Sequence, residues 1–306
     1  MPKIERILVA IADPSMQSSP AVRRAGALAH RTGASLELLY AIPSSISAGA
    51  GHAQAENFTR VHAAASSRLL ERAANRLRRE ELIVTTKVQS GYPGHEAILR
   101  EVRLTKPDLV VIAARKHTAL ARLLLTQTDF ELIRHCPVPL LIVKGRAAWR
   151  SPRILAALDP FHANDKPSAL DGQILAAARE LAEATRGSLH AAHVYRPLMH
   201  YVSVVPMAAT ALVATPEEEE SYRKAVQRTF RAAMDRLGVP KNRAHLICGD
   251  PATEIADLAR SLKAGLVVMG AVSRSGLKRL FIGNTAELAL DAIRCDVLVV
   301  KPQSSA

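Results

Sequence analysis

Three glycines, Gly270, Gly276 and Gly283, bracket a basic segment in "VVMGAVSRSGLKRLFIGNTAE", residues 267–287, which also carries Arg274, Lys278 and Arg279. These are the residue types of an anion cradle. Glycine admits positive φ and close approach of the backbone, and successive N–H groups can then line a concavity for negative charge. Gly270, at the end of an apolar run, is expected to clear a ligand's approach. Gly276 permits a positive φ in the loop, and Gly283 precedes Asn284 and Thr285, which open a helix whose first turn offers unpaired N–H groups to a phosphate. The first half of the chain has a stretch in the same place, "VVIAARKHTALARLLLTQTDFE" from Val110 to Glu131, with no glycine at all. A phosphate cradle is therefore expected in one half only. In the other, Arg115, Lys116 and Arg122 face the same cleft, and its ligand is read as none or unknown.

The elements that must position this loop occur twice. "RILVAIADP" at Arg6 and "RILAALDP" at Arg153 each read as a buried strand ending in Asp-Pro. Helical segments follow, "SPAVRRAGALAHRTGA" and "GQILAAARELAEATRGS", each with a glycine where a helix C-terminus favours one. Then come strands "SLELLYAIP" and "SLHAAHVYRP", and long amphipathic helices over roughly Asn57 to Glu80 and Pro216 to Leu237. Thr215 is placed to cap the second of these, with Pro216 at its first position and Glu217 to Glu220 in the first turn, so the glutamate run is a solvated helix start rather than a metal site. A short strand, a turn ("SGYPGHEAI", "CGDPATEIA"), a helix, an apolar strand and a final helix and strand complete each half. Gly249-Asp250-Pro251 is read as a structural turn. Short apolar strands alternating with helices describe parallel sheets covered on both faces. The expected fold is α/β, two tandem doubly wound, Rossmann-like domains over residues 1–147 and 151–306, each with a five-stranded parallel sheet.

Composition narrows the function classes. Lys plus Arg exceeds Asp plus Glu by 13, more strongly in the first half, which favours anionic partners. The charges are spread over helices, aromatic residues are only 4%, and no nucleic-acid recognition motif is present, so nucleic acid is an unlikely partner and other anionic ligands come first. Three cysteines without a CxxC pair suggest neither a disulfide framework nor a zinc knuckle, and a reducing cytoplasm is expected. No apolar run is long enough to span a membrane. "PLMHYVSVVPMAATALVATP", Pro197 to Pro216, is read as a packed loop or lid. His190 and His193, three apart on a strand, point to opposite faces and cannot chelate one metal. His117 reads as solvent-exposed.

The arrangement resembles the universal stress protein family, specifically its tandem-domain E-type members, most closely in "TQTDFELIRHCPVPLLIVK" and "LFIGNTAELALDAIRCDVLVVKP". Nucleotide-binding members carry Gly-x2-Gly-x9-Gly-Ser/Thr after the fourth strand. Here the second half reads Gly270-x2-Ser273-x9-Gly283-Asn284, with Ser for the second glycine and Asn for the final hydroxyl residue. The resemblance implies that ATP, with or without Mg²⁺, binds the second domain. Asp159 would accept hydrogen bonds from adenine or ribose, Val194 and Met269 would flank the base, and Gly270, Ser273, Arg274, Gly276, Gly283, Asn284 and Thr285 would hold phosphates. Core packing accounts for Val194 and Met269 equally well. The function expected is stress sensing or regulation through an unidentified protein partner. Slow ATP hydrolysis or phosphoryl transfer is the alternative, although no catalytic residue is evident and no Walker A or GxGxxG sequence occurs. Single-domain members commonly dimerise through the last strand. The resemblance therefore implies that Val138 to Lys144 and Cys295 to Lys301 pair within the chain as a pseudo-dimer, with a homodimer also open.

Overall fold

Runs such as "LVVIA", "LLIV" and "DVLVV" are apolar at almost every position, so both faces of each strand must be covered by other elements. A computed structural model of the chain describes residues 3–15, 19–43, 52–90, 92–116, 123–145, 148–161, 169–198, 215–271 and 284–302. In the first half β1 (Arg6–Ile11), α1 (Pro20–Thr32), β2 (Ser35–Ala41), α2 (His52–Arg78), β3 (Val84–Gln89), α3 (Gly94–Thr105) and β4 (Leu109–Ala113) follow in order. Two-residue strands β5 (Arg115–Lys116) and β6 (Leu123–Leu124) pair with each other, then α4 (Gln127–His135) and β7 (Leu140–Val143) close the half. The second half runs through β8 (Arg153–Ala157), α5 (Leu170–Thr185), β9 (Ser188–Tyr195), α6 (Pro216–Arg236), β10 (Ala244–Cys248), α7 (Pro251–Ser261), β11 (Leu266–Gly270), α8 (Asn284–Ala292) and β12 (Asp296–Val300).

The strands form one sheet in the order β10-β9-β8-β11-β12-β7-β4-β1-β2-β3. Within each half the pairing is parallel, and the halves meet where β12 runs antiparallel to β7, with Val297 opposite Ile142, Leu298 opposite Leu141 and Val299 opposite Leu140. The two sheets expected thus join edge to edge into a single ten-stranded one, through the pairing of the last strands that the resemblance implied. Two short apolar strands left as bare edges would expose unpaired N–H and C=O groups, and pairing them removes both edges together. One core cluster, including Ala25, Leu70, Leu170 and Phe230, lies under α1, α2, α5 and α6. The other, including Ile98, Leu132, Ala252 and Leu290, lies under α3, α4, α7 and α8. Each cluster crosses the seam.

Local signals act largely as read. Thr215 accepts from Glu218 N at 3.2 Å and the Glu218 carboxylate accepts from Thr215 N at 2.7 Å, a full capping box for α6. Asp250 caps α7 through Ala252 N and Thr253 N, so the Gly-Asp-Pro stretch is a helix start. Gly33 ends α1 at φ 75°, but Arg186 at φ 52°, not Gly187, takes the left-handed position after α5. Gly187 is glycine because a Cβ there would collide with the Pro152 carbonyl, where the linker crosses the second half.

Polar groups bolt the seam from both sides. The Lys144 ammonium, at the end of β7, donates to Ile293 O at 2.8 Å and also to Leu290 O, at the C-terminus of α8. In reciprocal fashion Lys301, just past β12, donates to Arg134 O at the C-terminus of α4. Arg24 of α1 meets Asp296 at 2.7 Å, both groups buried, and its guanidinium lies 4.2 Å from the centre of the Trp149 ring. Asp296 Oδ1 also accepts from Lys144 N at 2.8 Å and Gly145 N at 2.7 Å.

Leu141 and Val299 are 0% and 2% exposed in this seam. Replacing both by lysine should loosen the halves, because each buried charge without a partner costs about 3 kcal/mol or more. The expected result is a larger hydrodynamic radius with faster proteolysis near Trp149. Unchanged compactness would place the joint elsewhere.

Burial also pushes the Lys144 and Lys301 ammonium groups down to about 8. Unfolded lysine keeps its proton to about pH 10.4. Between these values the unfolded chain binds more protons, so this contribution to stability rises with pH from about 8 to 10. Cys136 and Cys295, whose thiols burial raises to about 11 and about 12, act in the opposite sense above pH 9. The lysine contribution is isolated by comparing the wild type with the Lys144→Met, Lys301→Met double variant. On raising the pH from 7.5 to 9.5, the wild type should gain on the order of 2 kcal/mol relative to the variant.

Candidate functional site

In the second half β9 and β10 extend the sheet to one side of β8, while β11 and β12 lie on the other. The chain therefore changes direction between β8 and β11. A crevice forms outside the carboxyl ends of the strands at such a switch point, and ligands settle there. Asp159, Val194, Met269 and Gly270 all lie at this end of three neighbouring strands: Asp159 just beyond β8, Val194 near the end of β9, and Met269 and Gly270 closing β11. α8 starts at Asn284 on the same edge, since it runs back from β11 to the start of the parallel strand β12.

The Asp159 carboxylate is only partly buried, its side chain being 24% exposed, but its Oδ1 atom is buried and has no hydrogen-bond partner among the described residues. The nearest ring nitrogen, His193 Nδ1, stands 3.9 Å away and is itself within 3.0 Å of the Leu158 carbonyl. Asp171, in the first turn of α5, accepts from Asp159 N at 3.0 Å and so fixes the backbone that carries Asp159. Sequence reasoning missed Asp171; its place in the first turn after the Asp-Pro stretch is the available signal. The His193 ring packs 4.8 Å from that of Phe161 and 6.4 Å from that of Phe230. On the neighbouring strand end, Arg196 pairs with Asp250 at 3.1 Å.

The first half differs at the matching aspartate. Asp13 Oδ1 accepts from both the backbone N and the hydroxyl of Ser15, at 2.8 and 2.6 Å, closing a local turn. One strand-end carboxylate is therefore satisfied within its own loop, whereas the other holds a buried acceptor atom open.

Val194 and Met269 are 8% and 9% exposed and belong to the core cluster under α7 and α8. At Gly270 a Cβ would lie 2.9 Å from Leu170 Cδ2 and 3.1 Å from Ile174 Cδ1, so the missing side chain also makes room for α5. Ser273, Arg274, Gly276, Lys278, Arg279 and Gly283 lie outside the described residues, as do the side chains of Asn284, Thr285, Arg115, Lys116 and Arg122, and His117 and the expected lid over 199–214.

Other reactive groups are accounted for by packing. His190 turns away from His193 and meets His245 of β10, Nδ1 to Nε2 at 3.1 Å; burial lowers the pKa of both. No group of three or more His, Cys, Asp or Glu residues suited to a metal occurs among the described residues. The raised thiol pKa values of Cys136 and Cys295 disfavour thiolate chemistry. No helix among the described residues is long and apolar enough to cross a membrane.

The model of the universal stress protein family matches residues 3–144 and again 152–301. This chain belongs to the universal stress protein family. Two copies in one chain make it a tandem member, and curated relatives that match over two thirds or more of this chain carry the E-type name. Universal stress protein E of Escherichia coli K12 is 34% identical over 218 residues, a match covering 68% of this chain and 65% of that protein, just under two thirds of its length. Universal stress protein E of Photorhabdus laumondii is 27% identical over 99% of this chain and 96% of its own. Among solved structures, a Pseudomonas aeruginosa PAO1 protein described as functionally unknown aligns over 98% of this chain and 93% of its own, with TM-score 0.76 and 26% identity. A universal stress protein from Archaeoglobus fulgidus shares the fold at TM-score 0.71 and 16% identity. Family membership supports a stress-response role.

The packing reason for Gly270 can be measured. Gly270→Ala pushes a methyl group against Leu170 and Ile174 and should lower unfolding stability by about 1–3 kcal/mol. Leu170→Ala in the same chain should recover part of that loss. A Gly270→Ala variant as stable as the wild type would return the glycine to a purely ligand-related role.

Proposed function

We propose that this universal stress protein binds ATP, with or without Mg²⁺, in the crevice of its second half, and that occupancy regulates its conformation or choice of protein partner in a cytoplasmic stress response. The observation that carries this reading is the contrast between the two strand-end aspartates. A buried carboxylate oxygen without a partner is costly, and it is relieved by a donor brought in from outside. Adenine offers an amino group and ribose offers hydroxyls, both of them donors. The first half, where Asp13 is already satisfied by Ser15, has no such vacancy and no glycine loop.

In this reading Asp159 fixes the nucleoside, and the edges of Val194 and Met269 supply apolar contact to the base. Gly276 and Gly283 let the loop close on the phosphates beside Ser273 and Arg274. The N-terminus of α8, at Asn284 and Thr285, directs N–H groups and the positive end of the helix dipole to the same charge. Bound triphosphate supplies concentrated negative charge, and the residues named here bind and orient it. None of them is placed as a general base, so binding rather than turnover is the expected activity.

Calorimetry on the full chain should give one ATP per chain. Gly283→Val should abolish binding, and Asp159→Ala should weaken it about tenfold or more through loss of a charge-assisted hydrogen bond. Two equivalents per chain, or full affinity in both variants, would overturn the assignment. Steady phosphate release under excess Mg-ATP would replace binding by hydrolysis.

A further inference from the structure

The helix that opens at the proposed cradle is anchored by polar groups of the other half. α8 has nine residues, Asn284–Ala292, and no basic residue in its own last turn, whereas α4 carries Arg134 and His135 in its last turn. A helix end leaves carbonyls without intrahelical partners, and a cation there completes the dipole. At α8 that cation is Lys144, which lies at the end of β7 in the first half. Lys144 is 6% exposed, and its ammonium reaches both Leu290 O and Ile293 O. One turn into the helix, Glu287 meets Arg134 of α4 at 3.1 Å, and Arg134 also holds Glu131 at 3.0 Å. Within its own half α8 rests through Ala289 and Leu290, with Ile293 just beyond its end, on the core cluster that includes Ala252, Ile255 and Met269. Apolar contact of that kind is not directional. The hydrogen bonds and the ion pair are directional, and they set how far along its axis the helix sits.

We infer that Lys144 and Arg134 of the first half are positioning residues for the nucleotide site of the second, holding α8 from its C-terminal end so that its first turn meets the phosphates. The inference rests on the nucleotide reading above, and it gives the half without a cradle a role in controlling the half that has one. The ammonium works against its burial, which lowers its pKa to about 8. A methionine of similar length would fill the space without that penalty, so the donors of Lys144, not its bulk, distinguish it. The opposite clamp, Lys301 on α4, holds a helix that follows a loop without glycine.

Two readouts on the full-length protein test this. In nucleotide-free protein, Lys144→Met should speed amide exchange in the last turn of α8 about tenfold and leave α4 unchanged, while Lys301→Met should do the reverse. In calorimetry with ATP, Lys144→Met and Arg134→Gln should each weaken binding about fivefold or more, while Lys301→Met leaves it within twofold. Equal loosening of α8 by either lysine variant, or unchanged ATP affinity in Lys144→Met, overturns the positioning role. A wild-type protein that takes up no ATP overturns the nucleotide reading instead, and the exchange measurements still decide whether Lys144 holds α8.

Discussion

The antiparallel pairing of β7 with β12 is the constraint on which the remaining architecture hangs. Leu140–Val143 and Asp296–Val300 are buried on both faces, and neither strand has another partner for its outer edge. Joined, they turn ten strands into one sheet and let each core cluster run through the seam. The covalent linker makes the pairing intramolecular, at an effective concentration of order millimolar. Antiparallel contact has a geometric consequence: the carboxyl ends of the strands in one half lie beside the amino ends in the other. The two ligand-type crevices therefore open on opposite edges, and the lysine that ends each last strand reaches the C-terminus of a helix in its partner half.

That pseudo-symmetry is broken at particular residues. Counting back from Ser35 and Ser188, which begin β2 and β9, Arg24 corresponds to Ala177. Counting back from Lys144 and Lys301, Asp296 corresponds to Pro139. One side of the seam thus holds a buried ion pair sheltered by Trp149, and the other holds two small apolar residues. Burial lowers the pKa of Arg24 and raises that of Asp296, so desolvation opposes both charged forms while the 2.7 Å contact and the backbone N–H groups of Lys144 and Gly145 favour them. Such a pair adds less to stability than to specificity, because removing one partner strands the other. It keys α1 of the first half to the first residue of β12 in the second. The strand-end aspartates diverge in the same spirit, Asp13 closing its own turn and Asp159 leaving an acceptor open. Two similar frames thus carry different contacts at a few positions.

The order of elements, the parallel pairing inside each half and the start of α6 were legible in the sequence, whereas Asp250, read as part of a turn, proves to cap α7. The first three depend on periodicity and on contacts within a few residues, which a linear reading can see. The glycines of the second-half loop are visible in the sequence, and Asp159 was singled out through the family resemblance. The packing at Gly270 and Gly187 was not legible. A Cβ at either would meet an atom far away in sequence, Leu170 in one case and the carbonyl of Pro152 in the other. The sequence by itself determined a duplicated α/β chain of the universal stress protein family with one glycine-rich loop. Only the tertiary structure decided the register and direction of the seam, that Asp159 and Asp13 differ in their partners, and that Lys144 and Arg134 reach a helix of the other half. The seam and the helix contacts turn on distances between residues separated by more than a hundred positions, and the aspartates on how a ring and a loop pack around a strand end, which residue spacing does not record.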